Sequence, residues 1–223
     1  MPFRHTAILY YNMKINELSD IIVSAPQPPE NWRIGHSFKL PFFSPPVLTV
    51  TQQKYMYPFS VIWGAIKPKK YLTIGVLYGS TESYAMWRTK HKPERIVACD
   101  IDLAEYNPER NNLAYAHDNL SRNNDGEIVT IRCNSKTCYM MELLGPYDLV
   151  FIDGEHTAEA VYADLNHAKK SIAPEGIIMV HDLELHTSSV LTGYKDWLNV
   201  NKEFNHIEVS RQHFHLGLGL VQC

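Results

Sequence analysis

From Tyr71 to the C-terminus, short apolar runs alternate with segments whose apolar residues recur every three or four positions. Short apolar runs predict buried strands, and the longer spacing predicts amphipathic helices. The predicted strands cover 72–76, 95–100, 127–133, 147–153, 176–181, 206–210 and 214–220, and the predicted helices cover 81–90, 108–122, 136–143, 158–172 and 188–200. Strands separated by helices indicate a mostly parallel sheet covered on both faces. The last two strands, with no helix between them, predict an antiparallel hairpin at one edge.

The first third of the chain has a different pattern, because nine of the 13 prolines precede Lys69. A short helix is predicted over 13–23, where prolines stop it, and a second helix from 51 to about 66 is disturbed by Pro58. Three prolines make the segment 39–46 an irregular loop that displays Phe42 and Phe43. We therefore predict a Pro-rich arm over 1–50, which serves as a lid or builds a homo-oligomer, and a single α/β domain over 51–223.

Composition narrows the function classes. A hydrophobic content of 45% with 20% charged residues is typical of a globular protein, and a net charge of −3 without a basic run argues against nucleic acid or an anionic membrane as partner. No segment approaches the roughly 20 apolar residues of a membrane span. Four cysteines at unrelated spacings favour reduced thiols and a cytoplasmic location. Cys133 and Cys138 do not predict a zinc site, because four soft ligands at usable spacing are not present.

The residues after the five predicted parallel strands are glycine or polar. They are Gly75 and Gly79 after the first strand, Asp100 to Asp102 after the second, Asn134 and Ser135 after the third, Asp153 to His156 after the fourth, and His181 and Asp182 after the fifth. Solvated turns also favour such residues. In an open parallel sheet, however, ligands bind beyond the carboxyl ends of the strands, so these positions are the candidate site.

The turn between Gly75 and Gly79 passes directly into Ser80 and Thr81 at a predicted helix N-terminus. Glycine allows a close approach to a ligand, and the helix end offers unpaired backbone N–H donors. Asp100 follows on the next strand, where a carboxylate can accept both hydroxyls of a ribose. The glycine spacing is not the Gly-x-Gly-x-x-Gly of dinucleotide sites, which disfavours an NAD-dependent oxidoreductase.

Four runs of this sequence together resemble class I S-adenosylmethionine-dependent methyltransferases. They are YLTIGVLYGST, IVACDID, YDLVFIDGEHTAEAVYADL and IAPEGIIMVHD, within a similarity that spans roughly 52–198. The sequence is most similar to small-molecule and sugar O-methyltransferases with a Phe-Ile-Asp-Gly-x-His motif. This resemblance implies a Rossmann-like, doubly wound seven-stranded sheet with an antiparallel last strand. It also implies methyl transfer to a hydroxyl of a small, sugar-like acceptor.

The resemblance assigns a role to each part of the cofactor site. It places Gly75 and Gly79 beside the methionine part of S-adenosylmethionine, Asp100 at the ribose, and Asn134 and Ser135 beside the adenine. Ser80, Thr81 and Asp153 are further predicted cofactor-binding residues. The family usually carries an acid two residues before the first glycine, and this chain has Thr73 there.

A second group of residues indicates a divalent ion. Asp153 and Asp182, with His181, offer ligands that suit Mg²⁺, Mn²⁺ or Ca²⁺, and His156 is the candidate base because its ordinary pKa is nearest neutrality. Metal-dependent relatives have Asp-Asn where this chain has Asp182 and Leu183. The same acids can instead cap helices, so a metal-independent methyltransferase and a non-catalytic cofactor-binding module remain alternatives. His206, His213 and His215 are expected on the edge strands, without a catalytic role.

Overall fold

The computed structural model describes residues 13–25, 50–76, 79–101 and 112–223, with no side-chain description for 50–55 and 112. The helices are α1 (Ile15–Ser24), α2 (Val50–Ile66), α3 (Ser80–Thr89), α4 (Asn112–Asn123), α5 (Met140–Leu143), α6 (Ala158–Ser171) and α7 (Val190–Val200). The strands are β1 (Lys70–Ile74), β2 (Arg95–Asp100), β3 (Glu127–Arg132), β4 (Tyr147–Ile152), β5 (Ile172–His181), β6 (Asn205–Val209) and β7 (Leu218–Gln222). The predicted loop with Phe42 and Phe43, Asp102 and the start of the helix predicted from 108 lie outside the described residues.

All seven strands form one sheet in the order β3-β2-β1-β4-β5-β7-β6. Strands β1 to β5 pair in parallel, and β7 is antiparallel to both of its neighbours. This arrangement confirms the predicted fold class. The predicted hairpin is present, but β7 lies inside the sheet and β6 forms the edge. Strand order reverses between β1 and β4, which is where an open α/β sheet binds its ligand.

Helices cover both faces of the sheet, and the central strands are therefore buried on each side. One core contains an aromatic group in which Phe59 of α2 packs on Trp63, Tyr71 and Phe151. The opposite core is built around α6 and α7 and includes Trp197. Both cores include residues of β1 and β4. Packing on each face therefore restrains the ends of these two strands, where the strand order reverses. No helix in the described part of the chain is long and apolar enough to cross a membrane.

Several boundaries differ from the predictions for local reasons. Strand β1 ends at Ile74 rather than 76, because Gly75 adopts a φ of +84° and leaves the extended conformation. Helix α2 continues through Pro58, because its buried face packs on the sheet and offsets the lost hydrogen bond. Phe214 and Leu216 alternate like strand residues but precede β7, since Leu216 has a φ of +61°.

The described part of the predicted N-terminal arm is α1, which packs against the domain. Ile15, Leu18 and Ile22 are buried in the core. The Gln222 side chain of β7 accepts a hydrogen bond from the Ile15 N–H at 2.9 Å and donates one to the Met13 carbonyl at 2.9 Å. The domain boundary at residue 50 and the lid or oligomer role stay predictions.

The expectation of reduced thiols throughout is wrong for one pair. Cys133 and Cys138 form a disulfide, while Cys99 and Cys223 are free. A tight 3-10 turn at Ser135–Thr137 folds the chain back, so the two Cα atoms lie 6.0 Å apart, within the usual disulfide range. Sequence spacing alone does not reveal this turn.

Candidate active site

The turn after β1 is in direct contact with the end of β4. The Asp153 N–H donates to the Ile74 carbonyl at 2.8 Å, and the Gly75 N–H donates to the Cys99 carbonyl at 2.8 Å. A Cβ atom on Gly75 would collide with the backbone carbonyl of Asp153. Glycine is therefore required here by both its φ and its surroundings, and this close contact joins the predicted cofactor turn to Asp153, a predicted ligand of the divalent ion.

The N-terminus of α3 completes this turn. Gly79 is the N-cap residue with a φ of +64°, and its N–H donates to the Val76 carbonyl at 2.9 Å. Ser80 and Thr81 form the first turn and are partly exposed. Helix geometry leaves the N–H groups of a first turn without intrahelical acceptors, so this end can hold a polar ligand.

The predicted ribose and adenine residues lie at neighbouring strand ends. Asp100 ends β2, and the Cys133 N–H donates to its carbonyl at 3.1 Å, which keeps the end of β3 beside it. Asn134 follows immediately and accepts a hydrogen bond from the Lys136 N–H through its side-chain oxygen at 3.0 Å. This bond starts the 3-10 turn that contains Ser135. The structure thus brings Asp100, Asn134 and Ser135 to one edge of the crevice.

Two histidines and two aspartates form a compact cluster at the ends of β4 and β5. His181 Nδ1 lies 3.0 Å from Asp153 Oδ1 and 3.2 Å from Asp182 Oδ1. His156 Nε2 lies 2.8 Å from Asp182 Oδ2. All four residues were predicted from the sequence, and the structure brings all four together.

The two histidines of the cluster differ in their exposure and in the cause of their raised pKa values. The hydrogen bond that His156 donates to the Asp182 carboxylate raises the pKa of His156, whose side chain is 45% exposed. His181 is buried; burial lowers its pKa, but the charges of Asp153 and Asp182 outweigh burial and raise it. His156 is thus the member of the cluster that meets solvent, while His181 sits between the carboxylates.

The donor set of this cluster fits a hard divalent cation. His181 Nδ1 and one carboxylate oxygen each from Asp153 and Asp182 lie within 4.8 Å of one another. The other nitrogen of His181 donates to the His215 carbonyl at 2.8 Å, which fixes the orientation of the ring, as is usual for histidines that bind metal ions. Asp182 Oδ1 is buried and, although it lies 3.2 Å from His181 Nδ1, accepts no hydrogen bond from the described part of the chain, and Asp182 has a φ of +64°. Such a constrained, under-satisfied carboxylate often marks a functional position.

The remaining histidine predictions need one refinement. His206 lies on β6, and His213 follows it, as expected for the edge region. The His215 backbone, however, orients His181, which sequence reasoning missed. A backbone contact carries no sequence signal, so only the folded chain reveals it.

Sequence reasoning also missed two buried acids beside the site. Glu82 of α3 accepts a hydrogen bond from the Tyr71 hydroxyl at 3.0 Å, and burial raises its pKa to about 7. Asp164 of α6 is fully buried, and burial raises its pKa to about 6. One oxygen of Asp164 lies 3.5 Å from where a Cβ on Gly154 would stand. Both acids occur at ordinary helix positions, so nothing in their spacing distinguished them from surface residues.

The comparisons with known proteins agree with this geometry. Residues 72–183, half of the chain, match the model of a family described as a methyltransferase domain. The chain belongs to this methyltransferase family. This result confirms the resemblance to class I methyltransferases, and the matched region contains every predicted site residue. No curated protein sequence matches the chain.

Solved structures show the same fold as this methyltransferase at low sequence identity. The cofactor-bound protein Rv0187 from MTB is 21% identical with a TM-score of 0.56, covering 80% of this chain and 82% of that protein. An O-methyltransferase from Bacillus cereus in complex with SAH is 16% identical with a TM-score of 0.53, covering 93% and 90%. The O-methyltransferase TomG from Streptomyces achromogenes, in complex with SAM, is 15% identical with a TM-score of 0.50, covering 80% and 82%.

Proposed function

We propose that this methyltransferase transfers a methyl group from S-adenosylmethionine to a hydroxyl oxygen of a small, sugar-like molecule, assisted by a divalent cation. The observation that carries the proposal is the cluster of His156, Asp182, His181 and Asp153 directly against the Gly75 turn. The similar structures from Bacillus cereus and Streptomyces achromogenes, both described as O-methyltransferases, support the oxygen acceptor. The Phe-Ile-Asp-Gly-x-His motif supports a sugar-like one.

Different residues along the crevice bind different parts of the cofactor. Gly75 and Gly79, with the first turn of α3, border the methionine part, where backbone N–H groups can hold a carboxylate. The Asp100 carboxylate accepts hydrogen bonds from the ribose hydroxyls, and the turn from Asn134 to Ser135 borders the adenine. The bound cofactor supplies the methyl group on its sulfonium sulfur. The protein supplies alignment of the two reacting atoms and exclusion of water.

His156 is the proposed base. Its exposed edge can receive the proton of the acceptor hydroxyl, and its Nε2 contact with Asp182 orients the ring and stabilises the charge that the ring acquires. Asp153, Asp182 and His181 would hold the cation. Such a cation would lower the pKa of the acceptor hydroxyl, so that a base of near-neutral strength would suffice.

Binding and turnover test this proposal separately. S-adenosylhomocysteine should bind the purified protein in calorimetry, and labelled S-adenosylmethionine should transfer its methyl group to hydroxylated acceptors but not to their deoxy analogues. Removal of divalent ions with a chelator should abolish turnover, and Mg²⁺ should restore it. Binding of NAD without S-adenosylhomocysteine binding would overturn the proposal in favour of an oxidoreductase. Cofactor binding without transfer to any acceptor would favour a non-catalytic module.

One observation favours a metal-independent methyltransferase as second candidate. His181 Nδ1 already stands within 3.2 Å of both carboxylates, and a protonated imidazole there offsets one of their two negative charges without a metal ion. Turnover that persists in the presence of a chelator would support this second candidate over the first.

A further inference from the structure

Three of the four cysteines lie in one cluster at the ends of β2 and β3, directly beside Asp100, Asn134 and Ser135. Cys99 is the penultimate residue of β2, Cys133 follows β3, and Cys138 follows the 3-10 turn. Cys99 Sγ lies 3.1 Å from Cys133 Sγ, and all three sulfurs lie within 4.8 Å of one another. Cys99 and Cys138 are buried, whereas Cys133 is partly exposed. Three chain segments thus converge on one point with soft ligands.

We propose that the reduced form of this cluster binds one Zn²⁺ ion through the thiolates of Cys99, Cys133 and Cys138, with solvent at the fourth position. Three thiolates around a tetrahedral zinc ion, each about 2.3 Å from the metal, stand about 3.8 Å apart. Cys99 Sγ already lies 3.1 Å from Cys133 Sγ, and on reduction the Cys133 and Cys138 sulfurs, which are bonded in the disulfide, would have to separate by roughly 1.7 Å to enclose the ion. This site does not depend on the proposed methyl transfer.

Charge and burial favour a divalent ion over a monovalent one. The Cys99 and Cys138 side chains are buried, so the charge of the occupied site has to be small. On binding, three thiols release three protons, and one Zn²⁺ ion with three thiolates leaves a net charge of −1. A monovalent ion such as Cu⁺ would leave −2 in the same apolar surroundings, at a greater desolvation cost.

The fourth position is open on the Cys133 side. No further histidine, cysteine or carboxylate of the described residues belongs to the cluster. Because Cys133 is partly exposed, water can reach the metal there. The arrangement is therefore a three-ligand site rather than a closed four-cysteine site.

Oxidation and metal binding exclude each other at this cluster. The Cys133–Cys138 disulfide occupies two of the three ligands, so the oxidised protein offers only the Cys99 thiol. A phosphine reductant restores the site: the disulfide gains two electrons and two protons to become two thiols, and the phosphine becomes a phosphine oxide with oxygen from water. Zinc binding should accordingly require prior reduction.

Cobalt titration of the full-length protein tests the proposal, with Co²⁺ as the spectroscopic probe and Zn²⁺ as the competitor. The reduced, metal-free protein should bind one equivalent with a sulfur-to-cobalt charge-transfer band that Zn²⁺ abolishes. Cys99→Ala, Cys133→Ser and Cys138→Ala should each weaken binding at least tenfold. Cys223→Ser, a cysteine outside the cluster, should not change it, and the band should persist in Asp153→Asn, which removes the other candidate metal site.

Two results would overturn the zinc site. They are the absence of a charge-transfer band in the reduced protein, and a band that survives in all three cluster variants. Circular dichroism checks that each variant is folded. If Cys99→Ala does not fold, Cys99→Val replaces it, since valine suits the surrounding core and still removes the sulfur.

Discussion

At the scale of single residues, the hydrogen-bonded pair of Tyr71 and Glu82 holds an ionisable carboxyl group in its neutral form beside the candidate site. The glutamate is fully buried, and its partner is the Tyr71 hydroxyl at 3.0 Å. Burial raises the pKa of Glu82 to about 7, against 4.5 for an ordinary glutamate. The folded protein therefore holds a proton on Glu82 at pH values where the unfolded chain has lost it.

This proton makes stability depend on pH. The contribution of Glu82 is fully present below pH 4.5 and is lost as pH rises through about 7, and the whole shift corresponds to roughly 3 kcal/mol. Glu82→Gln keeps an uncharged side chain of the same shape, so it should raise the free energy of unfolding at pH 8 and change it little at pH 4.5. Urea unfolding at the two pH values measures this difference.

The control for this experiment is Glu94→Gln, because Glu94 is exposed. It should not reproduce the stabilisation at pH 8. If Glu82→Gln changes the free energy of unfolding equally at both pH values, this result contradicts the raised pKa of Glu82 and indicates a packing effect instead.

Gly75 is the residue with the strictest backbone requirement. With a φ of +84° and the Asp153 carbonyl in the place of a Cβ, Gly75→Ala should lower the free energy of unfolding by at least about 1–3 kcal/mol. Thermal unfolding measures the loss. Gly154→Ala is the matched control, since its new Cβ would meet neighbours no closer than 3.5 Å, and it should cost much less. Equal losses for the two variants would show that the contact with β4 is not decisive.

His156 is the residue on which the proposed chemistry depends most. His156→Ala should reduce kcat by about 10²- to 10⁴-fold, the usual contribution of a general base, while the affinity for S-adenosylhomocysteine stays within about twofold. His206→Ala, on the exposed edge strand, should leave both quantities unchanged. An active His156→Ala enzyme would remove this residue from the mechanism.

At the scale of elements, the sequence predicted most strands and helices because burial imposes a clear period. The best example is α6, predicted over 158–172 and observed over Ala158–Ser171. The errors lie where a local feature overrides the pattern. Gly75 shortens β1, and the turn at Leu216 removes an apparent strand segment. Such features depend on φ angles and contacts that hydrophobic periodicity does not encode.

Helix α1 illustrates an element that depends on a distant side chain. Gln222→Ala removes both hydrogen bonds to the start of α1, and each bond contributes about 1 kcal/mol to stability. Amide hydrogen exchange within Ile15–Ser24 should therefore become faster, while the amides of β1 and β4 remain protected. Hydrogen exchange measured by mass spectrometry resolves the two regions. Gln212→Ala, at an exposed position, is the control and should change neither. Faster exchange throughout the sheet would mean that α1 opens only with global unfolding.

At the scale of the whole molecule, the sheet explains why so much of the candidate site could be predicted. Parallel strands place their carboxyl ends on one edge, so residues 78 positions apart in the sequence, such as Gly75 and Asp153, come into contact. The sequence could not show what depends on side-chain direction or backbone contact. Glu82, the His215 carbonyl and the meeting of Cys99 with Cys133 belong to that group.

The same arrangement predicts how a ligand stabilises the whole domain. A compound that joins β1, β2 and β3 at their ends binds only the folded chain, so S-adenosylhomocysteine at 100 times its Kd should add about 2.7 kcal/mol. For a domain of this size that corresponds to a rise in Tm of about 5–10 °C. Differential scanning fluorimetry with S-adenosylhomocysteine, and with NAD at the same concentration, measures the difference in Tm.

Asp100→Asn should reduce the rise in Tm, because a carboxamide oxygen accepts the ribose hydrogen bonds more weakly than a carboxylate does. A rise with NAD and none with S-adenosylhomocysteine would contradict the S-adenosylmethionine site, whereas an undiminished rise in Asp100→Asn would move the ribose to other residues.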